Sequence, residues 1–317
     1  MGSNFVEASR QGYVVMKNEI KKFFSGKRML VFLAMVALIL FILTIAPYLL
    51  GTKLPNDPGR LSMGYIKMSP MIVLMAASLF ASISIVSEYE ERTALIIFTR
   101  PIRKVSIFGG KFMAAFLTNV AFTGLYYLVT AIVSLIVAHG VDPDLLPSFG
   151  LAVAFAFAVS GIAIFFSSFL KKASLATIFT FVTPLIILPA MSMVLSMADM
   201  NVSWMLDQAA GAIANCSEAV RDMTNQTLEA LSESLKDPAS VLNIDMLIAQ
   251  LNGIAGDGVF NMANIMPILM QCYFGSFIDF SGAMLSAPDV CHDALIMIGW
   301  GIVFVIVSFI LFIRREF

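Results

Sequence analysis

Three glutamates (Glu88, Glu90, Glu91) and five cations (Arg92, Arg100, Arg103, Lys104, Lys111) crowd into residues 87–111, around a short apolar run from Ala94 to Phe98. That pattern suits docking rather than bond-making: charges flank a short helix held at a membrane surface. Pro101 closes the helix, because it lacks a backbone donor and pushes the preceding residue out of helical geometry. Reactive chemistry is poorly supplied elsewhere. The two histidines, His139 and His292, stand far apart and read as ordinary interfacial residues. Neither Gly-x-Ser-x-Gly nor His-Glu-x-x-His occurs. Gly109-Gly110-Lys111 is followed by Phe112 and lacks the earlier glycine of a phosphate loop. The sequence therefore predicts no catalytic residue, no metal site and no cofactor bound by this chain.

The elements that must position residues 87–111 are membrane spans. The chain of 317 residues is 59% hydrophobic and only 13% charged, with a mean hydropathy of +0.89. A soluble domain is about 45–50% apolar. The net charge of −1 gives no pull toward nucleic acid. The opening residues lack an apolar core behind their charges and do not form a cleavable signal peptide. A hydrocarbon core of ~30 Å needs about 20 helical residues. Six uncharged stretches meet that length: Met29–Leu50, Met68–Val86, Phe112–Ala138, Ser148–Leu170, Ala173–Met197 and Ala294–Ile313. Pro70 is expected in the first turn of the second, and Pro184 and Pro189 should bend or break the fifth.

The expected architecture is all-α. Residues 1–28 form a cytoplasmic and interfacial amphipathic helix, with Tyr13, Met16, Ile20, Phe23 and Phe24 at helical spacing among Lys17, Lys21 and Lys22. Residues 29–197 hold spans one to five, 198–293 an extracytoplasmic helical segment, and 294–317 span six and the tail. Lys and Arg gather on one set of connections, which predicts a multi-pass protein of the cell membrane with both termini in the cytoplasm. An additional span around Ile265 to Ile278 would reverse Arg314 and Arg315, and is rejected on that ground. The external segment reads as polar and helical from Trp204 to Leu235. A second, apolar half follows, which packs on the spans or dips into the outer leaflet.

Buried Asp, Glu or His is what an ion relay needs, and the apolar runs contain none. Their hydroxyls (Ser78, Ser82, Ser84, Thr177, Thr180, Thr183) are expected to bond their own helices and join neighbours, with Asn119 the best candidate for a bond between helices. Asn201, Asn215 and Asn225 each begin an Asn-x-Ser/Thr string and are possible glycan acceptors. Cys272 or Cys291 is able to pair with Cys216 in an oxidising space, and the odd count leaves one thiol free.

Glu88-x-x-x-Arg92-Thr93, then an apolar turn, Arg100-Pro101-Ile102-Arg103-Lys104 and Gly110-Lys111 ahead of a span, resembles the signature of ABC-transporter permeases of the type-2 exporter family. Arg92-Thr93 stands where Gly-Thr is commonest, and Ile96-Ile97 replace the usual leucines. The resemblance implies that the turn from Ala94 to Thr99, with Ile96 and Ile97, is a coupling helix seated in a separate ABC ATP-binding subunit. Glu88, Glu91, Arg92 and Thr93 would fix its start and Arg100, Pro101 and Arg103 its exit, while Lys111 would anchor span three at the headgroups. It also implies a homodimer or pseudo-dimer of permeases in the lipid bilayer, with ATP and magnesium held by the partner. The expected function is export of a lipid-like, amphipathic or polymeric substrate. The alternative is a complex component that acts mechanically on an extracytoplasmic partner. An intramembrane hydrolase finds no support, since the spans lack paired polar residues.

Overall fold

Apolar runs of this length can satisfy their backbone in a bilayer only as helices, and helices are what they form. The computed structural model describes residues 2–49, 54–90, 103–198, 200–222, 225 and 289–314, and it contains no strand among them. The elements are α1 (Gly2–Ser25), α2 (Lys27–Leu49), α3 (Pro58–Ala76), α4 (Val86–Glu90), α5 (Lys104–Val137), α6 (Leu145–Phe169), α7 (Ala173–Val182), α8 (Leu188–Met197), α9 (Leu206–Asn215) and α10 (Val290–Arg314). Among the described residues, six helical stretches are long and apolar enough to cross a membrane, corresponding in order to the six expected spans. Expectations for Glu91, Arg92, Thr93, Ala94, Ile96, Ile97, Arg100 and Pro101, for the apolar half of the external segment, and for Cys272 fall outside the described residues.

Span two begins earlier than its apolar run. Asp57 caps α3, accepting from Arg60 N at 3.3 Å, and Pro58 takes the first helical position, where a missing donor is harmless. Pro70, expected in the first turn, therefore lies well inside the helix. The exposed Arg60 and Lys67 extend the helix beyond what hydropathy marks. After Ala76 the helix widens into a π turn over Ala77–Ala81 and resumes only at Val86. Ser78 and Ser82 hydroxyls bond back to Met75 O and Ser78 O there, a local competition that loosens helices. Span five is interrupted as expected: Thr183–Ile187, which contains Pro184, forms a π turn between α7 and α8.

Span two is the most enclosed of the six and span one the most exposed. Polar side chains join the bundle at several levels. Asn119 Nδ2 donates to Ser160 Oγ at 3.4 Å, the bond between helices expected of it. Ser82 and Thr177 share a bond of 3.0 Å between spans two and five. Tyr127 Oη donates to Ser69 Oγ at 3.0 Å and meets Ser148 Oγ at 2.8 Å. Spans four and six cross where backbone approaches backbone: a Cβ on Gly161 would stand 3.0 Å from Gly301 O. Contacts progress in the same direction along both, from Gly161 and Gly301 through Phe165 and Phe304 to Ser168 and Ser308. The two helices thus run parallel and finish at the same end of the bundle.

Of residues 198–293, expected to be extracytoplasmic, α9 is seated on the bundle through Leu206, Ala209, Ala212 and Ile213, so the first half of that segment is less uniformly polar than its composition implied. Ser148 Oγ donates to Ile213 O at 2.7 Å. Asn201 is exposed and accepts from Ser203 N at 2.8 Å. Asn215 is half-buried with Ser217 of its string fully buried, and Asn225 is half-buried. Cys216 is buried and Cys291 exposed, both as free thiols.

Candidate coupling site

Residues 91–102 are flanked by two stems, α4 before and the first turns of α5 after, and one lysine joins them. Lys111 sits two turns into α5 and is 1% exposed. Its Nζ donates to Glu19 Oε1 at 2.7 Å, to Ser84 O at 2.8 Å and to Glu88 Oε1. All three ammonium hydrogens are therefore engaged. Such pairing is the condition for burying the charge, since an unpaired ammonium away from water is costly. Lys111, expected from the resemblance to anchor span three at the headgroups, is buried and ties α1, the end of span two and the start of span three together. Glu19 Oε2 is buried without a hydrogen-bond partner among the described residues.

The break in span two supplies the third acceptor. In a continuous helix Ser84 O would accept from Glu88 N, but Glu88 N bonds Ile85 O at 3.2 Å. Ser84 O is left for Lys111. The donors freed by the same break, Ile85 N and Val86 N, both reach Ser167 Oγ at 3.0 Å. Ser167 thus caps α4 from span four, while its neighbour Ser168 bonds Ser308 Oγ of span six at 2.9 Å. Glu90 Oε2 accepts from Ala173 N at 2.9 Å, at the first residue of span five. Arg103 caps α5 in extended geometry, its N–H 3.5 Å from Gln11 Oε1.

Helix α1 explains the glycine before Lys111. A Cβ on Gly110 would stand 2.6 Å from Gly12 O and 2.9 Å from Val15 Cβ, so only glycine admits α1 at this distance. The two helices run side by side: Gly12 lies by Ser106, Val15 by Gly110, Glu19 on Lys111, and the Phe24 ring 5.7 Å from that of Phe122. With 34 residues, α5 extends ~51 Å against a hydrocarbon core of ~30 Å, and α1 covers its first half. Met16, Ile20 and Phe23 supply the inward apolar face, whereas Tyr13 and Phe24 of the expected face are exposed.

An apolar recess of ≈ 270 Å³ lies among spans one, two and five, lined by Met35, Met75, Leu79, Ile178, Phe181 and Val182 with Ser78 and Thr177.

Among the expected site residues that are described, the structure brings Glu88 and Lys111 into one cluster and leaves Arg103 at the helix start. Glu19 and Ser167 are not marked by the sequence, whereas Glu90 stands there only as part of the charged run and Ser84 only as a span hydroxyl. Gly110 was visible only as part of a motif.

A sequence profile described as ABC-2 family transporter protein matches residues 52–215, from just before α3 to the end of α9. The chain belongs to the ABC-2 transporter family. No curated protein matches it. As an ABC-2 permease it is a multi-pass membrane component of an ABC transporter, associated with an ABC ATP-binding subunit. Helix α1, span one and span six of this permease lie outside the matched region. The Glu19 contact to Lys111 and the crossing of Gly161 with Gly301 attach α1 and span six to it.

Proposed function

We propose that this permease couples ATP hydrolysis by its partner subunit to export, with residues 87–111 as the coupling segment. The observation that carries the reading is the buried cluster of Lys111, Glu88 and Glu19, which fastens both stems of the segment to each other and to α1. A segment gripped by a moving subunit transmits a rigid-body displacement only if its stems resist being pulled apart. The stems also bond spans four and five through Ser167 and Ala173, so a displacement there reaches most of the bundle. In this reading Ala94, Ile96 and Ile97 seat in the ATPase, between Glu91, Arg92 and Thr93 on one side and Arg100 and Pro101 on the other. ATP and magnesium are held by that partner.

The clustering of cations with α1 and the stems supports a cytoplasmic position for this end, and so for both termini, in the cell membrane. Two permeases form the working unit, as a homodimer or pseudo-dimer. The apolar recess supports a lipid-like or amphipathic substrate.

The test is to co-purify the permease with its ATPase and replace Ile96 and Ile97 by aspartate. Membrane insertion is expected to persist while substrate no longer stimulates ATP hydrolysis. Unchanged association and unchanged coupled hydrolysis would overturn the assignment.

A further inference from the structure

We propose that the outward face of α1, with the α1–α2 junction, is a binding site for anionic phospholipid headgroups. Six cations lie exposed between residues 10 and 28: Arg10, Lys17, Lys21, Lys22, Lys27 and Arg28. None of them is in an ion pair among the described residues, although Lys22 lies in the field of the Glu88 carboxylate. The single acid in that interval, Glu19, is buried on Lys111. The nearest exposed acid on α1, Glu7, lies about one turn before Arg10.

Arg10, Lys17 and Lys21 fall at helical spacing on one face with Tyr13 and Val14, which are 60% and 52% exposed. Long cationic side chains beside apolar bodies are the composition of a surface that lies against headgroups, with the charges reaching the phosphates. The opposite face of α1 is fixed against α5 by the Gly12–Gly110 approach and by Glu19, so the cationic face is held outward. Covalent geometry supplies the position. Only Gly26 separates α1 from span one, so Lys21, Lys22, Lys27 and Arg28 stand within two turns of a helix in the bilayer. Directly after them Leu30 and Val31 are 69% and 51% exposed and offer acyl chains an apolar wall. A phospholipid with a net negative headgroup therefore meets charge and hydrocarbon surface in the right order, whereas a zwitterionic one leaves the cations uncompensated.

This inference needs only α1 and a bilayer, so it stands or fails independently of the coupling assignment. The full-length permease is reconstituted in phosphatidylcholine nanodiscs doped with spin-labelled phosphatidylglycerol or spin-labelled phosphatidylcholine, and the motionally restricted fraction is compared. Wild type is expected to retain phosphatidylglycerol preferentially, with the preference weakened by salt. In K17Q/K21Q/R28Q that preference should fall, by up to about fivefold per neutralised cation, while K17R/K21R/R28K keeps it. These positions are exposed, and an unchanged melting temperature confirms that the variants are folded. Equal retention of the two lipids by wild type, or an unchanged preference in the glutamine variant, overturns the proposal. So does a glutamine variant that keeps the lipid preference but loses its ATPase, since the face would then dock protein.

Discussion

Lys111 is the side chain on which the stems depend, and its environment fixes what its removal does. Lys111→Met leaves Glu19 and Glu88 in a buried site without the ammonium they share. Breaking such a pair from one side costs about 3–5 kcal/mol, so the variant should melt well below wild type in detergent. K111M/E19Q/E88Q should recover part of the loss, because neutral amides tolerate burial better than stranded carboxylates; no recovery would assign the cost to packing instead. A second residue-scale expectation concerns the thiols. Burial first, and then the nearby Asp144 carboxylate, pushes the Cys216 thiol up to about 11, against the opposing Arg221. An acid whose pKa rises on folding holds its proton in the folded state at pH values where the unfolded chain has lost it. In single-cysteine variants, folded Cys216 should therefore remain slow to alkylate through about pH 9 and react once α9 is unseated, while the exposed Cys291 serves as the accessible control. Fast labelling of folded Cys216 at pH 8 would contradict the seating of α9.

At the scale of elements, α1 and α5 make one unit because Gly110 lets their backbones meet. Gly110→Ala is expected to push α1 away, since its Cβ would meet Gly12 O at 2.6 Å. The cost should be about 1–3 kcal/mol, in the range of overpacked cores, with faster hydrogen exchange across residues 12–24. Unaltered exchange there would mean that α1 is held by other contacts. The Gly-Lys pair was legible in the sequence as a motif, yet its reason was not, because the atoms it accommodates belong to a helix nearly a hundred residues away. The amphipathic pattern of α1 was legible too. Hydrophobic spacing marked Met16, Ile20 and Phe23 correctly, but it could not say that they would pack into the bundle, with Phe23 on Phe80 of span two, nor that Tyr13 would face outward. The early start of span two follows from Asp57 and Pro58, cap signals that outranked hydropathy as a guide to where the helix begins.

Across the whole molecule, the parallel course of α6 and α10 brings Arg314, Leu170 and the stem ending at Glu90 to the same end of the bundle. In a cysteine-free background, S168C/S308C should therefore form a disulfide on mild oxidation, as the two hydroxyl oxygens lie 2.9 Å apart. Cysteines at Lys172 and Arg314 should be labelled from the same side of the membrane and one at Val141 from the other. Labelling of 172 and 314 from opposite sides would break the six-span arrangement. The order of the six spans among the described residues, the irregularity in span five and the role of Asn119 as a bond between helices were determined by the sequence alone. Each is written locally, in the length of an apolar run, a proline without a donor, or a polar amide too costly to leave unpaired in lipid. What only the tertiary structure decided is which distant groups meet: Glu19 with Lys111 across 92 residues, Ser167 with the freed donors of span two, Gly161 with Gly301. A buried charge announces that it needs a partner, but hydropathy and periodicity carry no record of which segment folds back to provide one.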